Sequence, residues 1–116
     1  MKTSELLAQK SKHTESGINV ANIAHFLAAT PGWEQDGARI VKTYSFKNYY
    51  ETLAFVNAIA YTIHAEDLHP ELTVTYNRCV IKFDTHTVND GKGGISINDF
   101  ICAAKIDVIY AQVFSA

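Results

Sequence analysis

Two stretches of alternating apolar and polar residues flank a short turn in the second half of the chain, and this predicted β-hairpin constrains the fold more than any other segment. We place its two-residue turn at Asn77-Arg78 and count the pairing outwards from there. His69 then falls opposite His86. Directly opposed residues of a hairpin lie about 4.5–5.5 Å apart at Cβ and point to the same face. The sequence therefore predicts that two imidazoles converge on the polar side of this hairpin.

Apolar residues at helical spacing predict three helices. The first ends at Pro31-Gly32, the second covers residues 48–66, and the third follows a capping box formed by Ser96 and Asp99. The second helix is apolar around most of its circumference. Such a helix is buried on more than one side, which in a small domain predicts an oligomer interface.

A second hairpin is predicted between the first two helices, with its turn at Asp36-Gly37. The element order is then α-β-β-α-β-β-α, without the βαβ alternation of a parallel sheet. This order predicts an α+β fold, in which a four-stranded antiparallel sheet carries three helices on one face. Residues 1–17 show little periodicity and are expected to be a mobile tail, so that residues 18–116 form a single domain.

The composition is that of an ordinary globular protein. The formal net charge is −2, so no basic face that would bind nucleic acid directly is expected. No apolar run reaches the length of a signal peptide or of a membrane span, so no membrane partner is expected. Cys79 and Cys102 occupy positions that we interpret as core-facing, which favours reduced thiols over a disulfide. These features predict a cytoplasmic protein.

His69 and His86 are the best candidates for chemistry. A neutral and a protonated imidazole side by side can act as general base and general acid near neutral pH. The alternative is that both lie on a hydrated strand face and bond to Glu71, Asp84 or water. His64 could complete a three-histidine zinc site. No H-x-x-x-H or HExxH spacing supports such a site, so we predict no metal.

Other polar residues are harder to separate from structural roles. Asp99 is explained by the capping box, whereas Asp67 could cap a turn or orient a ligand. Tryptophan at such a position is more often an anchor in the core or at a rim than a ligand contact, and we interpret Trp33 in this way. His13 and His25 are expected at the surface.

The spacing of several residues in the second half of the chain forms a characteristic pattern. In chain order these are His64, Leu68-His69-Pro70, Tyr76, His86 and Asp99. The pattern resembles the pterin-4a-carbinolamine dehydratase family, in which an acidic or basic residue precedes a His-His-Pro triplet and an aromatic residue, a histidine and an aspartate follow. Similarity extends over nearly all of the chain beyond the tail, including Pro31-Gly32-Trp33, and is greatest to the proteobacterial branch.

The resemblance implies a cofactor-free dehydratase of 4a-hydroxytetrahydrobiopterin, which loses its C4a hydroxyl as water and becomes quinonoid dihydrobiopterin. This reaction recycles the cofactor of aromatic amino acid hydroxylases. The resemblance also implies a homodimer or homotetramer, with the long helix as the tetramer contact. We predict His69 and His86 as the acid–base pair. The expected substrate contacts are His64, Asp67, Asp84 and Thr85, with Trp33 and Asp99 at the rim or in support.

One departure from the family pattern bears on activity. Leu68 stands where the family has the first histidine of its triplet, and leucine can neither donate nor accept a proton. Loss of one general acid or base typically costs on the order of 10²–10⁴-fold in rate, so a weakened enzyme is expected. The alternative is a non-catalytic binding or assembly protein on the same fold: a dimerisation cofactor, a regulator or a chaperone of Rubisco assembly.

Overall fold

The structure, a computed structural model, describes residues 1–114. Its elements are, in chain order, α1 (Thr3–Leu7), α2 (Val20–Ala28), β1 (Glu34–Asp36), β2 (Arg39–Ser45), α3 (Tyr49–Glu66), β3 (Glu71–Val74), β4 (Arg78–Phe83) and α4 (Ile97–Val113). The strands form one antiparallel sheet in the order β1-β2-β4-β3. The predicted α+β fold is confirmed, and the short helix α1 is an addition to the three helices expected.

One face of the sheet carries the hydrophobic core. On the inner strand β4, Cys79, Ile81 and Phe83 are buried, while the residues between them are partly exposed. The ring of Tyr44 on β2 lies 4.8 Å from the ring of Phe55 on α3. Since alternate strand residues point to opposite faces, this pattern places the packed helices on one side of the sheet.

Side-chain caps begin the three long helices. Asn19 and Asn48 each accept a hydrogen bond from a backbone N–H three residues further on, at the starts of α2 and α3. Ser96 and Asp99 form the predicted capping box at the start of α4. These bonds satisfy amide groups that a helix leaves unpaired in its first turn. None of the helices within residues 1–114 is long and apolar enough to cross a membrane.

The pairing of the second hairpin differs from the prediction by two residues. Val74 pairs with Cys79, so the turn lies at Tyr76-Asn77 instead of Asn77-Arg78. A shift of two leaves every side chain on its predicted face, because side chains alternate with a period of two. The predicted direct opposition of the two histidines is therefore wrong, although both strands present the expected faces.

Contacts from other elements hold this turn in place. The Thr52 hydroxyl on α3 donates to the carbonyl of Tyr76 at 3.0 Å. The backbone N–H of Phe46 donates to the carbonyl of Asn77 at 2.9 Å. Because these donors are distant in sequence, the local pattern of the hairpin contains no sign of them.

The turn of the first hairpin is one residue further on than predicted. Asp36 pairs with Arg39, which leaves Gly37 and Ala38 in the turn. Gly37 has a φ of 61°, a left-handed conformation that glycine adopts without steric cost.

Part of the predicted tail packs on the domain. Leu6 of α1 is buried, and α1 contacts α4. The Thr3 hydroxyl donates to the carbonyl of Ala29 at 2.6 Å. Residues 9–19 follow without regular secondary structure and lead into α2.

Candidate functional site

A cavity of about 460 Å³ lies where the C-terminal end of α3, the end of β4 and the start of α4 meet. This volume is in the range of small-molecule sites. Five of the predicted site residues line it: Asp67, His69, Asp84, Thr85 and His86.

The two histidines lie just beyond the ends of their strands. His69 precedes the first residue of β3 by two positions, and His86 follows the last residue of β4 by three. They do not face each other across a strand pair, but both line the same cavity. His69 is 76% exposed, and its Nε2 lies 3.7 Å from Oδ1 of Asp67. Both imidazoles are therefore open to a ligand in the cavity.

The C-terminus of α3 directs the chain into this site. Asp67 has a φ of 53° and ends the helix in a left-handed conformation. The N–H groups of Asp67 and Leu68 donate to the carbonyls of His64 and Ile63, both at 3.2 Å. The side chain of Leu68 is 6% exposed and belongs to the hydrophobic core, at the cavity floor. The position at which the family has a histidine thus contributes an apolar surface here.

A buried polar cluster lies beside the cavity. The Thr85 hydroxyl donates to the Asp99 carboxylate, with both oxygens at 3.1 Å, and lies 2.7 Å from the Ser96 hydroxyl. Burial, and to a lesser extent the charge of Asp84, raises the pKa of Asp99 to about 7 against the opposing hydrogen bonds from Ser96 and Thr85. Asp99 is fully buried and does not line the cavity. Its carboxylate holds the hydroxyl of Thr85, a residue that lines the cavity.

Besides Asp99, two further predicted contacts lie outside the main cavity. Trp33 is buried and does not lie at a cavity rim: its Nε1–H donates to Asp107 at 3.2 Å, and its ring centroid lies 5.6 Å from that of Phe83. The bond to Asp107 satisfies the indole N–H within the core, which explains this position. His64 lines a smaller adjoining groove of about 330 Å³ that shares Asp67 and His69 with the main cavity.

Glu66 and the N-terminal segment complete the lining and were missed by sequence reasoning. The Glu66 carboxylate is almost fully buried and accepts bonds from Nζ of Lys105 at 2.8 Å and from the N–H of Ser11 at 2.7 Å. Burial raises the pKa of Glu66, but these bonds outweigh that effect and leave the pKa below its usual value. No periodic pattern marks these residues in the sequence, because the bonds join segments far apart.

Residues 10–14, here called the N-terminal strap, form one wall of the cavity. Nδ2 of Asn98, in the first turn of α4, donates to the carbonyl of Lys12 at 2.7 Å. The hydroxyl of Thr87 donates to the carbonyl of Thr14 at 2.7 Å. His13 is exposed, as expected, and it lines the cavity between these two attachments.

Within residues 1–114, no group of three His, Cys, Asp or Glu side chains is arranged to hold a metal ion. Cys79 and Cys102 are buried and free, and burial raises their pKa values to about 11 and about 12. Thiols in such surroundings are poor nucleophiles.

The fold and the cavity together define a small α+β domain with a histidine-lined site for a small molecule. Residues 16–109 match the family described as pterin 4 alpha carbinolamine dehydratase, and the chain belongs to this family.

Two relatives, both provisionally named pterin-4-alpha-carbinolamine dehydratases, illustrate the relationship. The one from Bdellovibrio bacteriovorus is 53% identical over 115 residues, which cover 99% of this chain and 96% of the relative. The one from Nitrosospira multiformis is 50% identical over 93 residues, 80% of this chain and 79% of the relative. The crystal structure of a transcriptional coactivator/pterin dehydratase from Brucella melitensis is similar in fold, with a TM-score of 0.73 and 24% identity over 81% of this chain and 98% of that one.

Proposed function

We propose that this protein is a hydro-lyase that dehydrates 4a-hydroxytetrahydrobiopterin to quinonoid dihydrobiopterin, with His69 and His86 as its acid–base pair. The observation that carries the proposal is that both imidazoles line one cavity of small-molecule size in a member of the pterin carbinolamine dehydratase family. The product is the form from which tetrahydrobiopterin is regenerated, so the proposed role is the recycling of this cofactor.

The reaction requires one proton donor and one proton acceptor. The bond between C4a and its hydroxyl oxygen breaks, and an imidazolium protonates the leaving oxygen to give water. A neutral imidazole removes the proton from N5, and the electron pair of that N–H bond forms the C4a–N5 double bond. One proton is given and one is taken, so a pair of histidines in opposite protonation states balances the reaction. No electrons are gained or lost, and we propose no redox cofactor.

Other groups at the cavity have supporting roles. Oδ1 of Asp67 lies 3.7 Å from Nε2 of His69, so Asp67 can help to position the His69 ring. Asp84 and Thr85 line the same wall as His86 and can accept or donate hydrogen bonds to a pterin ring. We place His64 at the edge of the substrate, because its groove adjoins the cavity.

Leu68 favours a second candidate function. Because its side chain is apolar and packed in the core, the site lacks one proton-transfer group of the family pattern. The second candidate is a non-catalytic binding or assembly protein on the same fold. Failure of pterin to bind, together with a protein partner that co-purifies, would favour this candidate.

A dehydration assay tests the proposal. Synthetic carbinolamine loses water slowly by itself, and its decay is followed by absorbance with and without the protein. We expect the protein to exceed this background and His69→Ala and His86→Ala each to lower kcat/KM on the order of 10²-fold. His25→Ala, an exposed histidine of α2 that does not line the cavity, is the matched control. A wild-type rate that equals the background and is unchanged in His86→Ala would refute the proposed enzymatic activity.

The cellular setting is proposed on separate grounds. Both cysteines are free and buried, which suits a reducing compartment, and we propose a cytoplasmic location. We further propose that the protein acts as a homodimer or homotetramer with α3 at the interface, an arrangement supported by the exposed tyrosines of that helix.

A further inference from the structure

The N-terminal strap places a third histidine at the proposed active site. Residues 10–14 line one wall of the cavity, and Ser11 is bound to Glu66 through both its N–H and its hydroxyl. Asn98 makes two bonds to the backbone of Lys12, at 2.7 and 3.3 Å. The strap is therefore fixed to α3 and α4 immediately before His13.

The strap is fixed again immediately after His13. The carbonyl of Thr14 accepts a bond from the hydroxyl of Thr87, and Thr87 is the neighbour of His86 in the chain. Since the residues on both sides of His13 are tethered, its backbone is held at the cavity next to the segment that carries His86. An ordinary surface histidine on an unstructured tail would have no such restraint.

The cavity lacks a hydrogen-bonding side chain at position 68, and the imidazole of His13 would supply such a group. Leu68 lines the cavity floor with a side chain that cannot donate or accept a hydrogen bond. The match to the family begins at residue 16, so His13 lies outside the segment by which the family is recognised.

We propose that His13 contacts the bound pterin and supplies the third imidazole that Leu68 lacks. This inference rests on the proposed function, because it assigns His13 to the same substrate. The role is a hydrogen bond from the imidazole to the pterin, which holds the ring against His69 and His86 during the loss of water. The strap is thus part of the substrate site.

A kinetic comparison tests the role of His13. We expect His13→Ala to lower kcat/KM at least tenfold, while His25→Ala, the matched exposed histidine, leaves it unchanged. Addition of free imidazole to His13→Gly should restore several-fold of the lost rate, because the small base can occupy the vacated space. A structural role for His13 would not respond to imidazole. Equal rates for wild type and His13→Ala would overturn the proposal and leave the dehydratase function intact.

The double variant His13→Ala/Leu68→His tests the exchange of the two positions directly. If the imidazoles are interchangeable, the histidine at position 68 should recover most of the rate lost in His13→Ala. The circular dichroism of the double variant shows whether a polar group at this buried position is tolerated. The imidazole experiment decides the question if that variant does not fold.

A binding measurement separates failure of this inference from failure of the proposed function. In protein labelled with ¹³C-histidine, 7,8-dihydrobiopterin should shift the ring signals of His13, His69 and His86, and that of His64 at the edge of the substrate, but not those of His25. If the protein shows no turnover but the His13 signal shifts, the proposed dehydratase activity would be refuted and the proposed contact between His13 and the pterin would stand. Shifts at His69 and His86 without one at His13 would refute the contact. Absence of both binding and turnover would refute both proposals.

Discussion

Asp99 shows at the scale of one residue how burial couples protonation to stability. Its carboxyl titrates near pH 7 in the folded protein, because burial disfavours the charged form, and near its ordinary value of 3.8 in an unfolded chain. Between these pH values the folded state binds the extra proton. The free energy of unfolding contributed by Asp99 is therefore highest below about pH 4, falls as the pH rises towards 7 and is constant above that.

Asp99→Asn should remove this dependence. The amide cannot ionise, so the stability of the variant relative to wild type should rise by up to about 4 kcal/mol between pH 4 and pH 7, at about 1.4 kcal/mol per pH unit. Urea unfolding at a series of pH values measures the difference. Asp36→Asn, at an exposed carboxylate in β1, is the control. A difference between Asp99→Asn and wild type that stays constant with pH would contradict the argument.

At the scale of elements, the second hairpin depends on a helix for its register. Thr52 is fully buried on α3, and its hydroxyl lies 3.0 Å from the carbonyls of Asn48 and Tyr76. The bond to Tyr76 fixes the turn one residue earlier than the hairpin sequence alone suggests, which shifts the strand pairing by two. Register in this protein is thus a property of the contact between the hairpin and α3.

Thr52→Val should weaken that contact without changing the shape of the side chain. The carbonyl of Tyr76 loses a donor in a partly buried place, which typically costs about 1 kcal/mol. Urea unfolding should show this loss. The amide of Thr75, which bonds across the turn to Arg78 at 2.9 Å, should exchange faster with solvent. Thr73→Val on the exposed edge strand β3 should change neither measurement appreciably.

The helices and the site hairpin were not equally open to prediction from the sequence. The Ser96–Asp99 box is a local signal, since its bonds join residues two or three positions apart, and α4 begins where this signal predicts. The apolar spacing that predicted a helix over residues 48–66 is also local, and α3 begins within one residue of that prediction. The faces of the strands also follow from local alternation. The register of the hairpin could not be predicted from local sequence, because it depends on the distant residue Thr52. The position of His13 could not be predicted either, because it depends on bonds to distant residues.

At the scale of the whole molecule, α3 has two unlike sides. Thr52, Phe55 and Ile59 are buried against the sheet. Tyr50 and Tyr61 are 82% and 78% exposed and lie on one stripe of the helix, three turns apart. An exposed apolar and aromatic stripe on a small domain is typical of an interface, in agreement with the proposed oligomer.

Tyr50→Glu/Tyr61→Glu should weaken the proposed oligomer. Charged groups buried without partners at an interface oppose association, so light scattering should show a fall in mass towards that of the monomer, 12.9 kDa. His25→Glu on α2 is the control and should keep the wild-type mass. If the wild type is a monomer, or if the double variant keeps the wild-type mass, this stripe of α3 is not an interface.

The N-terminal strap has a consequence for the order in which the site is made during synthesis. Its attachments span 55, 73 and 86 residues of chain, to Glu66, Thr87 and Asn98. The strap therefore leaves the ribosome before the groups that fasten it. A nascent chain arrested before α4 emerges would carry both hairpin histidines but would lack the Asn98 anchor, so the proposed pterin site should be complete only after α4 has emerged.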